Sequence, residues 1–235
     1  MKKSKFAQRL RCLVDDRYRR AYRSLRHLPK VDYRTVIDAG ANRGTFTDAL
    51  LQLEQPSKIV MVEALPDLAA RLKEQYAVRQ CVSVVSAALS DTNGTSTFEV
   101  NEYDSSSSLL KIDPRNSEWF GRSLRVAHKI TVPTITLPEL MQREQLTEVD
   151  LLKLDLQGAE RLVLSGGASV IRQVGVVFTE ILFQPLYEGS WLFWDVQDYF
   201  VTRGFQLCSL SNIVHSSAGD LLQGNAIYRR VGSAD

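Results

Sequence analysis

From Thr35 onward the chain alternates short apolar runs with segments of helical period, and this alternation narrows the fold more than any other feature. TVIDAG (35–40), SKIVMVE (57–63), CVSVVSAALS (81–90), VDLLKLDL (149–156) and GVVFTEIL (175–182) read as buried strands. Residues 45–53, 66–76, 138–145, 159–171 and 191–201 read as helices, with Pro66 at a first helical position and Gly204 closing the last of them. Strands joined through helices run parallel and are covered on both faces, so an α/β, doubly wound, mostly parallel sheet is expected. FQLCSL (205–210) and NAIYRRV (225–231) predict an antiparallel terminal pair. Asn93-Gly94, between 81–90 and TSTFEV (95–100), predicts a hairpin-like excursion, and KITVPTI (129–135) a further strand. Residues 101–128 have little periodicity; the serine run 105–108 suits either a mobile lid or a plain linker.

Hydrophobic residues make up 44% and charged residues 24%, which describes one soluble globular domain. No apolar run approaches the ~20 residues that span a bilayer, and the first residues lack the apolar stretch of a secretory signal. Cys12, Cys81 and Cys208 are scattered without CxxC spacing, which fits a reducing cytoplasm and no zinc site. Residues 1–30 carry eleven Lys or Arg against Asp15 and Asp16, a balance of +9 that leaves −7 on residues 31–235. Phe6, Leu10, Leu13, Val14, Tyr18, Ala21, Tyr22 and Leu25 form one stripe of a basic amphipathic helix over 1–30. That helix either docks its stripe and solvates its charges, or meets anionic lipid at the inner membrane face or a partner. The acidic body, without interleaved aromatic and basic residues, argues against nucleic acid.

In such sheets ligands sit beyond the carboxyl ends of the strands. There the first strand runs into Asp38-Ala39-Gly40-Ala41-Asn42-Arg43-Gly44. Gly40 permits a tight turn and Gly44 opens the next helix without crowding a ligand. This is G-x-N-x-G rather than the G-x-G-x-x-G of pyrophosphate binding, and Asp38 suits a ligand carrying ammonium and sulfonium groups. Glu63 ends the second strand, where an acid can accept ribose hydroxyls. The alternative is that Asp38 and Glu63 cap helices or pair with Lys58 or Arg71. On the fourth strand Lys153 needs a partner, with Asp155 or Asp150 the nearest in sequence.

The blocks VIDAGANRGTFTDALL, IVMVEALPDLAARL, SAALSDTNGTSTFEV, SSSSLL and VDLLKLDLQGAE, in this order and spacing, resemble the FkbM-type methyltransferases over roughly residues 34–230. The resemblance implies a Rossmann-like sheet of the class I methyltransferase type, S-adenosylmethionine as donor, and O-methylation of a sugar, glycan or natural-product hydroxyl. It places Asp38, Gly40, Asn42 and Gly44 in the donor loop, Glu63 on the ribose, and Ser86 and Ala87 beside the adenine. Gln157 stands where the family often has Glu, and Gln223-Gly224-Asn225 where many relatives show an aspartate.

Methyl transfer to oxygen needs alignment and a base for the hydroxyl proton. Asp155, Glu180 and His215 are the candidates, with Asp155 foremost; no metal is expected. Phe183, Tyr187, Trp191, Phe193 and Trp194 suit either an acceptor wall or the core. Two other functions remain open at this stage: a donor-binding module without catalysis, and an NAD-dependent sugar oxidoreductase.

Overall fold

A computed structural model describes residues 12, 15–102, 106–116 and 125–231. The chain opens with α1 (Asp16–Leu25), then β1 (Thr35–Ala39), α2 (Thr45–Leu50), β2 (Lys58–Glu63), α3 (Pro66–Gln75) and β3 (Val82–Ser86). Three strands of a second sheet follow: β4 (Ala88–Ser90), β5 (Gly94–Asn101) and β6 (Val126–Thr136). The chain returns through α4 (Leu137–Arg143), β7 (Val149–Leu154), α5 (Glu160–Gly166), β8 (Val174–Leu182) and α6 (Phe193–Val201). It ends in β9 (Phe205–His215) and β10 (Leu221–Arg230).

The main sheet has seven strands in the order β3-β2-β1-β7-β8-β10-β9. β3, β2, β1, β7 and β8 are mutually parallel, and β10 is antiparallel to both β8 and β9. Strand order reverses between β1 and β7, so the crevice beyond their carboxyl ends is where a ligand is expected. Side chains alternate across the sheet as the pleat requires. Ile37, Val60, Leu152 and Val177 pack on one face with Leu140, Val163 and Phe200 of α4, α5 and α6. Val36, Ile59, Leu151 and Val176 pack on the other with Phe46 and Leu50 of α2 and with Tyr18 and Leu25 of α1. Each such buried side chain contributes roughly 1.5–3 kcal/mol.

α1 starts at an Asp15 cap whose carboxylate accepts from the Tyr18 N–H at 2.9 Å. The Ser24 hydroxyl accepts from Ser211 Oγ at 2.9 Å and from Asn212 Nδ2 at 3.0 Å, which ties the helix to β9. The expected 1–30 helix is therefore seen over 16–25, while 1–11, 13 and 14 lie outside the described residues. Among the described residues no helix is long and apolar enough to cross a membrane.

Three local expectations change. The apolar run 81–90 is two strands: the Ala87 N–H bonds Glu63 O at 3.1 Å, and the chain then joins the second sheet through β4. The excursion at Asn93-Gly94 is not a β4–β5 hairpin, because β6 lies between those strands, parallel to β4 and antiparallel to β5. Asn93 Oδ1 instead accepts from the Thr136 N–H at 2.8 Å. The helix expected over 159–171 stops at Gly166, with Gly167 capping it and a 3₁₀ turn at Ile171–Gln173.

Candidate active site

Gly40, at φ +73°, turns the chain off the end of β1, a conformation that side chains rarely tolerate. Its N–H and that of Ala41 both bond Val62 O, at 2.9 and 3.1 Å. A Cβ on Gly40 would lie 2.0 Å from the carbonyl oxygen of Asp155, so the loop closes directly against the end of β7. Gly44, at φ +75°, caps α2, where a Cβ would meet the Tyr76 hydroxyl at 2.6 Å. Glu63 is 5% exposed. Its Oε2 accepts from the Asn42 N–H at 2.7 Å and its Oε1 from the Leu65 N–H at 2.9 Å. Each oxygen keeps a lone pair for a hydroxyl donor. Burial pushes the Glu63 carboxyl up, while those two N–H groups and Lys153 oppose the shift.

Asp38 stands behind this loop rather than in it. Its carboxylate is fully buried, accepts from Thr47 Oγ1 at 2.7 Å and pairs with Lys153 Nζ at 3.1 Å. Lys153 also donates to the carbonyls of Ala39 at 3.0 Å and Gly40 at 2.7 Å. Lys153 lies 3.9 Å from Asp155, so Asp38 is its nearer partner. Asp150, the other candidate, is engaged elsewhere: its Oδ2 accepts from the N–H groups of Arg34 at 2.9 Å and Thr35 at 2.8 Å.

A cavity of about 660 Å³ runs along the carboxyl ends of the strands. Of the residues expected to hold the donor, Gly40, Asn42, Glu63 and Ala87 line it, and Asp38, Gly44 and Ser86 do not. Asp155 and Glu180 come together in this cavity. The Gln157 amide donates to Asp155 Oδ1 at 2.8 Å and to Glu180 Oε2 at 3.1 Å, and its Oε1 accepts from the Tyr187 hydroxyl at 2.9 Å. Gln223 Nε2 donates to Glu180 Oε1 at 3.1 Å. Asp155 keeps 46% of its side chain exposed, whereas Glu180 is 7% exposed. Burial, then the charges of Asp155 and Glu160, push the Glu180 carboxyl well above the usual range. Glu160, which accepts from the Leu156 N–H at 2.6 Å, is pushed up to about 7, again by burial first.

His215 is not part of this group. It is exposed at the end of β9, paired with Leu221 rather than in a loop, and outside the cavity lining. Of the aromatic cluster only Tyr187 lines the cavity; Phe183 packs on Phe193 at 5.4 Å, Trp191 on Tyr199 at 5.5 Å, and Trp194 is exposed. Ser106 and Ser107 also line it, and Ser108 donates to Gln157 O at 2.8 Å, while residue 105 lies outside the described residues. Glu160, Gln223 and the cavity-facing Arg17 and Arg20 were missed as site residues. Among the described residues no three His, Cys, Asp or Glu side chains are grouped to hold a metal.

The crevice suits a compact nucleoside, because Gly40, Asn42 and Glu63 line it and the buried acid at the end of β2 retains free acceptor capacity. Sheet order, the turn at Gly40 and this acid define a doubly wound α/β fold with its ligand crevice at the switch point. The model of the Methyltransferase FkbM domain matches residues 38–207, and the chain belongs to that family, with S-adenosylmethionine as methyl donor. This sets aside the NAD-dependent alternative.

The chain is 30% identical over 162 residues to the 2-O-methyltransferase NoeI of Sinorhizobium fredii, spanning 66% of each chain. In fold it is similar to the methyltransferase FkbM of Methylobacillus flagellatus (TM-score 0.54, 13% identity), covering 86% of this chain and 44% of that one. It is similar also to Sp1610 of Streptococcus pneumoniae in complex with S-adenosyl-L-methionine (TM-score 0.52, 11% identity), covering 92% and 72%.

Proposed function

We propose that this chain O-methylates a hydroxyl of a sugar, glycan or natural-product acceptor, with Asp155 taking the hydroxyl proton. The observation that carries the reading is the placement of Asp155: half-exposed in the cavity, directly behind the Gly40 turn, and steadied by Gln157. S-adenosylmethionine supplies the methyl group on a sulfonium. The chain's own tasks are then to align the acceptor oxygen and to receive its proton. A solvent-reachable carboxylate suits the second task. Glu180 is the poorer base in this reading, since it is buried and both its oxygens accept from the amides of Gln157 and Gln223, and it serves to hold Gln157 in place. The name of the Sinorhizobium relative supports oxygen as the methylated atom.

Gly40, Asn42, Glu63 and Ala87 hold the donor in this reading, with Asp38, Gly44 and Ser86 behind them. The three cysteines are free, which supports a cytoplasmic setting. Titration of the chain with S-adenosylhomocysteine, followed by methyl transfer to a panel of glycosides, tests the reading. Donor binding that is lost in Glu63→Ala, with methyl ether formation lost in Asp155→Asn, is the expected pair of results. Donor binding with no transfer to any acceptor would favour the non-catalytic module, which Gln157 and Asn225 in the place of carboxylates also support.

A further inference from the structure

α1 docks on β9 and also reaches the cavity. Arg17, Arg20 and Ala21 of α1 line the same cavity as Asp155, and Ser24, next along the same stripe, is bonded to β9. Positions 17, 20, 21 and 24 share one face of a helix. The face that anchors α1 to β9 is therefore also the face whose two exposed arginines, Arg17 and Arg20, line the cavity. Arg20 is held by Asp16 at 3.0 Å, while Arg17 makes no ion pair among the described residues.

Resting on the methyltransferase reading above, we infer that Arg17 and Arg20 bind an anionic group of the acceptor, of the phosphate or carboxylate class, while its hydroxyl faces Asp155. Three observations carry this. Glu63 and Asp155 line the same cavity, and the lining Lys153 is already paired with Asp38, so an anionic acceptor is repelled there unless a further cation meets it. The planar forks of two arginines match phosphate or carboxylate oxygens in pairs. The donor also carries a carboxylate, but the residues that hold a donor common to the family are expected within the matched span 38–207. Arg17 and Arg20 lie outside that span, as do Asn212, Gln223 and Asn225, which line the cavity from the β9 and β10 side. Arginines outside the matched span suit the acceptor rather than the donor.

The test is calorimetric titration of the full chain, first with S-adenosylhomocysteine and then, once saturated, with glucose phosphate and inorganic phosphate, using glucose as the neutral control. Saturable millimolar binding of glucose phosphate but not glucose is expected. The double variant Arg17→Ala/Arg20→Ala should weaken it about tenfold or more, as expected for lost charge-assisted bonds. Arg17→Lys/Arg20→Lys should recover part of it, and S-adenosylhomocysteine affinity should stay within about twofold of the parent chain. Phosphate affinity equal in both chains, or no saturable phosphate binding at all, would overturn the inference. A fall in S-adenosylhomocysteine affinity in the double variant would overturn it too, by assigning the arginines to the donor's carboxylate. Vesicles containing phosphatidylserine give the last arm. If the double variant releases the chain from them while glucose phosphate binding is unchanged, the helix is a lipid contact and the inference fails. Failure of the parent chain to bind S-adenosylhomocysteine is a separate result, and it strikes the methyltransferase reading instead.

Discussion

Asp38 and Lys153 are register partners on the adjacent parallel strands β1 and β7, with Nζ 3.1 Å from Oδ1. Both side chains are buried, at 0% and 4% exposure. Burial alone would pull the lysine down, but Asp38, then Asp155 and Glu63, outweigh it and raise it, so the ammonium stays charged. The pair sits under the switch point of the sheet and fixes the carbonyls of Ala39 and Gly40 from below.

Removing one member strands the other. Lys153→Met is expected to cost about 3–5 kcal/mol, since an uncompensated charge remains buried. Urea unfolding should show it as a lower midpoint. Asp38→Asn combined with Lys153→Met should recover most of the loss, and a double variant no better than the single would show that the pair is not the source.

Gly40→Ala has no room. Its Cβ would fall 2.0 Å from Asp155 O, at a φ that disfavours side chains. The turn must shift away from β7, and displacing it by an ångström is expected to lower methyl transfer about a hundredfold. Binding of S-adenosylhomocysteine should weaken in parallel.

Asp155→Asn keeps the shape of the cavity and a hydrogen-bonding partner for Gln157, but it cannot take a proton. A fall in kcat of about 10²–10⁴ is expected, with S-adenosylhomocysteine affinity unchanged. Full activity in this variant would remove Asp155 from the role of base.

Glu160 ties stability to pH. Its carboxyl is raised to about 7 in the folded chain from 4.5, so the folded state binds more protons between those values. Stability from this group is complete below the lower value and is lost as pH rises through the upper one, a change of about 3 kcal/mol. Glu180 is raised in the same direction and adds to the trend. Glu160→Gln should flatten the decline in urea midpoint between acid and neutral pH.

The parallel strands were legible because they are buried on both faces and read as unbroken apolar runs. What the sequence could not show was which strand pairs with which. The run 81–90 looks continuous although the chain changes sheets at Ala87, and Asn93-Gly94 looks like a hairpin turn although β6 intervenes. Lys153 met the same difficulty: Asp155 and Asp150 are near in sequence, whereas Asp38 is a neighbour only through the β1–β7 register. The turn after β1 and the acid at the end of β2 were legible because their spacing is local to two successive strands. The surroundings of Asp155 and Glu180 were less so, since Tyr187 reaches Gln157, and Gln223 reaches Glu180, only through tertiary packing. The charge of residues 1–30 was plain, but its direction was not, until Ser24 was found on β9.

The bond between Ser24 and Ser211 joins positions 187 apart. α1 is made before β1, yet its partner strand β9 is made after β8. Contacts so distant in sequence close late. The turn at Gly40 is not complete without later strands either, since Lys153 holds its carbonyl and Asp155 closes against it. The part of the cavity wall that α1 supplies is set only once β9 is in place.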